Sequence, residues 1–147
     1  MNNLPAFNQT VHGFENIGIP AGAPGTGWVY EVPIGLIISP TAIAFSLDTD
    51  SASATRAIEL SIIAGGANVY IFRSPTIVDD DIVAAITCIA PGDRYHSLTA
   101  PESIIFPLPQ NLFLVHPDQI AFVIYAPAAA DVCQAIMMQA RTWIIPA

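Results

Sequence analysis

Apolar and polar residues alternate with a period of two along much of the chain, which is the period of a β-strand whose two faces meet different surroundings. The clearest case is residues 54–74, where two runs rich in β-branched and aromatic residues flank Gly65-Gly66. Glycine accepts the positive φ of a tight hairpin turn, whereas two glycines would weaken the middle of a helix. This pattern predicts a β-hairpin.

Further strands follow at regular spacing, with turn signals between them. Pro40 interrupts a long apolar run, and proline within a sheet marks an edge or a bulge, so we expect a kink or an edge position there. The last run is apolar on both alternate faces, which predicts burial on both sides, either within the domain or between subunits. Besides the two strands of the hairpin, the predicted runs are 28–32, 36–39 with 41–49, 83–90, 104–108, 112–115, 120–125 and 132–145.

Eight or nine strands without a convincing amphipathic helix predict an all-β protein. We expect an antiparallel two-sheet β-sandwich, jelly-roll-like, with an Ig-like sandwich as the alternative. Residues 1–27 are rich in Asn, Gly and Pro and lack a sustained period. They are predicted to be an extended N-terminal arm that docks on a neighbour, the alternative being a loose terminus. Residues 28–147 are then the sandwich domain.

The composition indicates that such a sandwich has partners. Charged residues make up 11% of the chain, compared with about 25% in typical soluble domains, and there is no lysine. Twelve acidic residues against four arginines give a net charge of -8, which argues against nucleic acid and anionic membranes as partners. No apolar run approaches the roughly 18–20 residues of a membrane-spanning helix, and no signal-peptide pattern is present. We therefore expect an oligomer or larger assembly, rather than a monomer with an uncharged polar surface.

Each candidate metal or catalytic site has a simpler structural explanation. Asp79, Asp80 and Asp81 could bind Ca²⁺, but consecutive acids point in different directions, so a solvated turn is the simpler interpretation. The three histidines lie in separate loops and no GxSxG motif occurs. The sequence therefore predicts no catalytic residues, no metal and no cofactor. A hydrolase using His96 or His116 remains a third hypothesis, after the two functions described below.

The cysteines and aromatic residues also have structural explanations. Cys88 and Cys133 lie in apolar runs and are predicted to be buried free thiols, although pairing across the sandwich stays open. Trp28 and Trp143 could stack on sugar rings, but aromatic residues at strand positions are more often core or interface residues. Arginines within strands are expected to pair with carboxylates at an interface.

Four segments carry a resemblance to a known class of proteins. They are the Gly/Pro-rich stretch 1–27, the strand WVYEVP at 28–33, the loop TDSASATR at 49–56 and the closing ARTWIIP at 140–146. In these segments the chain resembles small virion-associated proteins of tailed bacteriophages, which include capsid decoration (cement) proteins and short β-sandwich head or tail proteins.

The resemblance implies a non-enzymatic virion structural protein that is assembled in the host cytoplasm. Its implied partners are copies of itself, as a homotrimer or other symmetric oligomer, and the major capsid or other virion proteins. The alternative function is a carbohydrate- or receptor-binding module. The predicted interface residues are Leu4, Phe7, Val11, Phe14, Trp28, Arg56, Arg141 and Trp143.

Overall fold

A computed structural model describes residues 11–51, 56–74, 82–89, 102–125, 127 and 129–145. Within these ranges the chain forms ten β-strands and no helix, so no membrane-spanning helix is found in them. The strands are β1 (Val11–Gly18), β2 (Trp28–Glu31), β3 (Leu36–Asp48), β4 (Ala57–Ala64), β5 (Ala67–Arg73), β6 (Val83–Ile89), β7 (Glu102–Pro107), β8 (Leu114–Val115), β9 (Gln119–Tyr125) and β10 (Val132–Ile144).

The strands form two sheets that pack together as a sandwich. The six-stranded sheet has the order β1-β10-β3-β6-β7, with β8 paired to β3, and the four-stranded sheet has the order β2-β9-β4-β5. The pairs are nested: β1 with β10, β2 with β9, β3 with β6 and β4 with β5. A long hairpin wrapped on itself produces this nesting, which is the jelly-roll arrangement. The predicted all-β sandwich is confirmed, and the topology is jelly-roll rather than Ig-like.

The hairpin and the proline kink lie where the sequence predicts them. Strands β4 and β5 pair across Gly65-Gly66, and both glycines have positive φ. At Pro40 the register of β3 against β10 shifts by one residue: Ala140 lies opposite Pro40 and Gln139 opposite Ala42. The extra residue, Thr41, donates its hydroxyl to the Gln139 carbonyl at 3.0 Å. Pro40 therefore marks a bulge within a central strand.

Two features differ from the sequence-based expectation. The stretch predicted as an arm contains strand β1, which pairs with β10 of the same chain, so the described part of the sandwich begins at Val11. Polar and apolar residues do not alternate along β1, which is an edge strand. Its place in the sheet comes from backbone pairing with β10. In addition, β6 and β7 are parallel, in an otherwise antiparallel sandwich.

The core between the sheets is built around aromatic rings. Trp28 and Phe122 stack with ring centroids 6.2 Å apart, and Phe45 meets both rings edge-on. Just before β2, Gly27 packs so tightly against β9 that a Cβ atom would lie 1.6 Å from the carbonyl oxygen of Phe122. Only glycine allows this approach of the two backbones.

Asp118 connects two turns at one end of the sandwich. Its carboxylate accepts the Gly65 N–H at 3.2 Å and the Val115 N–H at 3.0 Å, and the residue is buried. The sequence predicts a turn at 116–119, but it does not show that the carboxylate also holds the β4–β5 turn.

Candidate interaction surface

Four of the predicted interface residues lie on neighbouring β1 and β10. Phe14 pairs with Arg141, and Val11 pairs with Trp143. The guanidinium carbon of Arg141 lies 5.2 Å from the centroid of the Phe14 ring, within the range of a cation–π contact. Both side chains are exposed, on the face of the six-stranded sheet that points away from the core. Arg141 makes no ion pair with any described residue.

Further apolar side chains extend this surface around the end of the sandwich. Trp143 lies opposite Ile37, which lies opposite Val115 on β8, and the Phe113 ring centroid is 5.5 Å from that of Trp143. The Ile145 N–H donates to the Gly35 carbonyl at 2.7 Å, which brings the β2–β3 turn to the same place. We call this surface the apolar end; its members are Phe14, Ile34, Phe113, Val115, Trp143, Ile144 and Ile145.

The apolar end is unusually exposed for side chains of this kind. Ile34 is 82% exposed, Phe14 60% and Phe113 55%. A single exposed apolar residue needs no explanation, but a contiguous group of them marks an interaction site in a soluble protein. Among the described residues, Arg141 is the one cation that borders this surface, through its contact with the Phe14 ring, so the surface offers mainly apolar contacts.

Two of the predicted interface residues lie inside the chain instead. Trp28 is 2% exposed and packs in the aromatic core. Arg56 and Asp131 both have fully buried side chains and form a bidentate ion pair, with Nε to Oδ2 at 2.7 Å and Nη2 to Oδ1 at 2.9 Å. Their burial within one chain explains both residues without a partner. Leu4 and Phe7 lie outside the described residues.

The Arg56–Asp131 pair belongs to a network that joins three parts of the fold. The Nη2 group of Arg56 also reaches the Asp50 carbonyl at 3.3 Å, and the Asp50 N–H donates to Asp131 Oδ1 at 3.0 Å. The network therefore links the end of β3, the start of β4 and the start of β10. Because this carboxylate holds a buried arginine in place, its role is structural.

A second polar cluster lies on the outer face of the four-stranded sheet. Glu59 accepts hydrogen bonds from Arg73 at 3.1 Å and from the Tyr125 hydroxyl at 3.1 Å, and Arg73 stacks on the Tyr125 ring at 4.5 Å. These contacts raise the pKa of Arg73, chiefly through the hydrogen bond to Glu59. Exposed Val69 and Ile71 lie on the neighbouring edge strand β5, so this sheet also carries exposed apolar side chains.

The two cysteines are free and buried, as the sequence predicts. Cys88 lies opposite Ile43 and Cys133 opposite Leu47 on the same strand β3. Four residues along a strand span about 13 Å, well beyond the reach of a disulfide, so pairing across the sandwich is excluded. Burial raises the pKa of both thiols, that of Cys133 to about 12, which keeps them protonated and unreactive at neutral pH.

The described ranges contain no cluster of side chains that could hold a metal ion. No group of three or more His, Cys, Asp or Glu side chains comes together there. His116 contacts the Val32 carbonyl through Nδ1 at 3.0 Å, which fixes a turn. The acidic run Asp79–Asp81 and His96 lie outside the described residues.

Several members of the apolar end were missed from the sequence. Ile34 and Phe113 stand in short segments between strands, and only the fold brings Phe113 beside Trp143 and the turn of Ile34 beside Ile145. For Ile34 the sequence signal is a large apolar residue between Pro33 and Gly35, where a polar residue is usual, whereas Phe113 lies between two leucines and has no such signal. Comparison with protein-family profiles, with curated proteins and with solved structures found no match.

Proposed function

We propose that this chain is a non-enzymatic virion structural protein, a capsid decoration (cement) or minor head or tail component that works as a symmetric oligomer. The observation that carries the proposal is the apolar end, a group of exposed hydrophobic side chains at one end of the sandwich, on a chain with only 11% charged residues. Exposing such a surface to water is unfavourable in free energy, and contact with another protein removes it from water.

The energetics favour contacts repeated by symmetry. Burying apolar surface contributes about 25 cal/mol per Å², so 1,000 Å² would offer roughly 25 kcal/mol before the large cost of association is subtracted. A closed oligomer repeats each contact, and a shell repeats it again, so modest individual contacts suffice. The partners proposed are further copies of this chain and the major capsid or other virion proteins.

The fold is compatible with this proposal, but it is equally compatible with other functions. Jelly rolls occur in viral capsid proteins and also in lectins, and function depends on the site rather than on the fold. The specific support is the resemblance of the sequence to small virion proteins of tailed bacteriophages, together with the chemistry of the apolar end.

A carbohydrate- or receptor-binding module is the second candidate, and one observation favours it. Phe113 and Trp143 form an aromatic pair beside the exposed Arg141, and sugars stack on such rings. The two rings are tilted by 49°, however, so they do not form the flat platform expected of a sugar site. A glycan array separates the candidates, because specific binding lost in Trp143→Ala would favour this second function.

Light scattering on the purified protein tests the assembly. The proposal expects a multimer at micromolar concentration, and it expects the double variant Ile34→Ser, Phe113→Ser to dissociate. Val69→Ser is the matched control, because Val69 is similarly exposed but lies on the other sheet. A monomeric wild-type protein would overturn the proposal. If the Val69→Ser variant dissociates and the double variant does not, the interface lies on the four-stranded sheet instead.

A further inference from the structure

Strand β1 is held to the sandwich mainly by its backbone. It is an edge strand of the six-stranded sheet and, among the described strands, pairs with β10 alone. Among the side chains of residues 13–18, Ile17 is the one that packs against the core, and Phe14 is 60% exposed. In β4, by contrast, Leu60 and Ile62 are fully buried. Because β1 removes little apolar surface from water, its side chains add little to its stability.

Two glycines among its eight residues weaken this strand further. Gly13 has a φ of +83° and lies at a register shift, so the pairing with β10 is irregular near the start of β1. Gly18 is the last residue of the strand, and a Cβ atom there would meet nothing closer than 3.8 Å. Glycine loses more backbone entropy on ordering than any other residue, so ordering this strand is less favourable than ordering one without glycine.

The chain is firmly anchored immediately after β1. Ile19 is buried in the core and donates its N–H to the Ile136 carbonyl at 2.9 Å. Further along, the Gly25 N–H donates to the Asp131 carbonyl at 2.7 Å. Strand β1 can therefore separate from β10 without moving the connection to β2, with Gly18 as the residue at which the backbone turns.

Strand β10 lacks the features that protect an unpaired edge. It is thirteen residues long, contains no proline, and has Arg141 as its one charged side chain. Natural edge strands use charged side chains and prolines to avoid pairing with other chains. If β1 separated, the uncovered edge of β10 would therefore be open to pairing with another strand.

We propose that β1 is a detachable cover, which separates from β10 as a unit by turning at Gly18 while the rest of the sandwich stays folded. When attached, it keeps the edge of β10 from pairing with other chains. When detached, it exposes that edge. The inference concerns a motion within one chain, so it does not depend on the proposed function.

The backbone geometry identifies the amides that this opening exposes. The hydrogen-bonding groups along a strand point alternately to its two neighbours. The Ile136 carbonyl accepts the Ile19 N–H on the β1 side, so the N–H of Met138, two residues later, also faces β1. The Gln139 carbonyl accepts the Thr41 hydroxyl of β3, so the Gln139 N–H faces β3.

Residue-resolved hydrogen exchange on the wild-type protein tests the opening. The amides of Glu15, Ile17 and Met138 should share one exchange rate, at least about a hundredfold faster than that of the amides between β4 and β9. Ile19 and Gln139 should keep the slow rate. Equal rates in β1 and β4 would overturn the proposal. A gradient of rates along β1 would also overturn it, because fraying, and not opening as a unit, produces a gradient.

A disulfide staple provides the matched perturbation. Asn16 lies opposite Gln139 and both side chains are exposed, so Asn16→Cys, Gln139→Cys can join the two strands. Oxidation should slow the β1 amides to the rate of those between β4 and β9, and reduction should restore the fast rate. The control staple, Ser46→Cys, Gln134→Cys, joins β3 to β10 and should leave the β1 rates unchanged. An oxidised β1 staple with unaltered rates would contradict the opening.

The same proteins test the covering role. Below the thermal midpoint, the reduced β1 staple should aggregate at least about threefold faster than its oxidised form, because only the reduced form can uncover β10. The control staple should aggregate at the same rate in both states. Equal rates for the two states of the β1 staple would show that the edge of β10 recruits no other chain, and would overturn the covering role.

Discussion

Breaking the buried ion pair should destabilise the fold strongly. Arg56→Met keeps much of the apolar stem but removes the two guanidinium donors that reach Asp131 at 2.7 and 2.9 Å. A hydrogen bond to a charged group is worth about 1.5–3 kcal/mol, so two give about 3–6 kcal/mol. This agrees with the roughly 3–5 kcal/mol lost when one partner of a buried pair is removed.

Such a loss is a large share of the total stability of a small domain, which is about 5–15 kcal/mol. The expected fall in Tm is on the order of 10 °C. Urea unfolding followed by tryptophan fluorescence measures the change, since Trp28 is buried in the core. Arg73→Met is the matched control: it also breaks an arginine–carboxylate pair, but the Arg73 side chain is 59% exposed, so its loss should be much smaller.

A double-mutant cycle provides the decisive comparison. Asp131→Leu removes the other partner, and the double variant Arg56→Met, Asp131→Leu should cost less than the sum of the single variants because neither charge is left buried alone. Strictly additive losses, or a loss in Arg56→Met no greater than that in Arg73→Met, would refute the conclusion that this pair holds the three segments together.

Three further predictions concern the backbone contact, the buried carboxylate and the thiols. Gly27→Ala should unfold or severely destabilise the protein in thermal melts, because a Cβ atom has no room there, whereas Gly18→Ala, whose Cβ would meet nothing closer than 3.8 Å, should be mild. Asp118→Ala should cost about 1–3 kcal/mol in urea unfolding, because it removes two hydrogen bonds, those from the Gly65 and Val115 N–H groups, each worth about 0.5–1.5 kcal/mol; an unchanged midpoint would contradict its role. Cys88 and Cys133 should react with a thiol reagent only after unfolding. Because burial raises both thiol pKa values above the ordinary 9.0, the unfolded chain ionises first, and stability should fall as pH rises from about 9 towards about 12. The slope should be about 1.4 kcal/mol per pH unit for each thiol, and the double Cys→Ala variant should lose it.

Most strands were predictable because their pattern is local. In β4 and β9, for example, one face packs in the core. Every second position of these strands is therefore apolar. The Gly65-Gly66 turn and the Pro40 bulge were predictable for the same reason, since glycine and proline restrict the backbone at their own positions.

Strand β1 was not predictable in this way. It is an edge strand with Gly13, Glu15 and Asn16 along it, so its sequence shows no alternation. Its place in the sheet comes from hydrogen bonds to β10, more than 110 residues later in the chain, and backbone bonds leave no mark on the pattern of side chains.

The sequence by itself determined the all-β class and the turns, because periodicity and turn residues act locally, and its scarcity of charge led us to expect a partner surface. Only the tertiary structure decided which apolar side chains are exposed and where they lie. It buried Arg56 against Asp131, 75 residues away, and gathered Ile34, Phe113 and Trp143 at one end of the sandwich. The physical reason is that burial and contact depend on which distant segments pair, and pairing is a property of the whole fold.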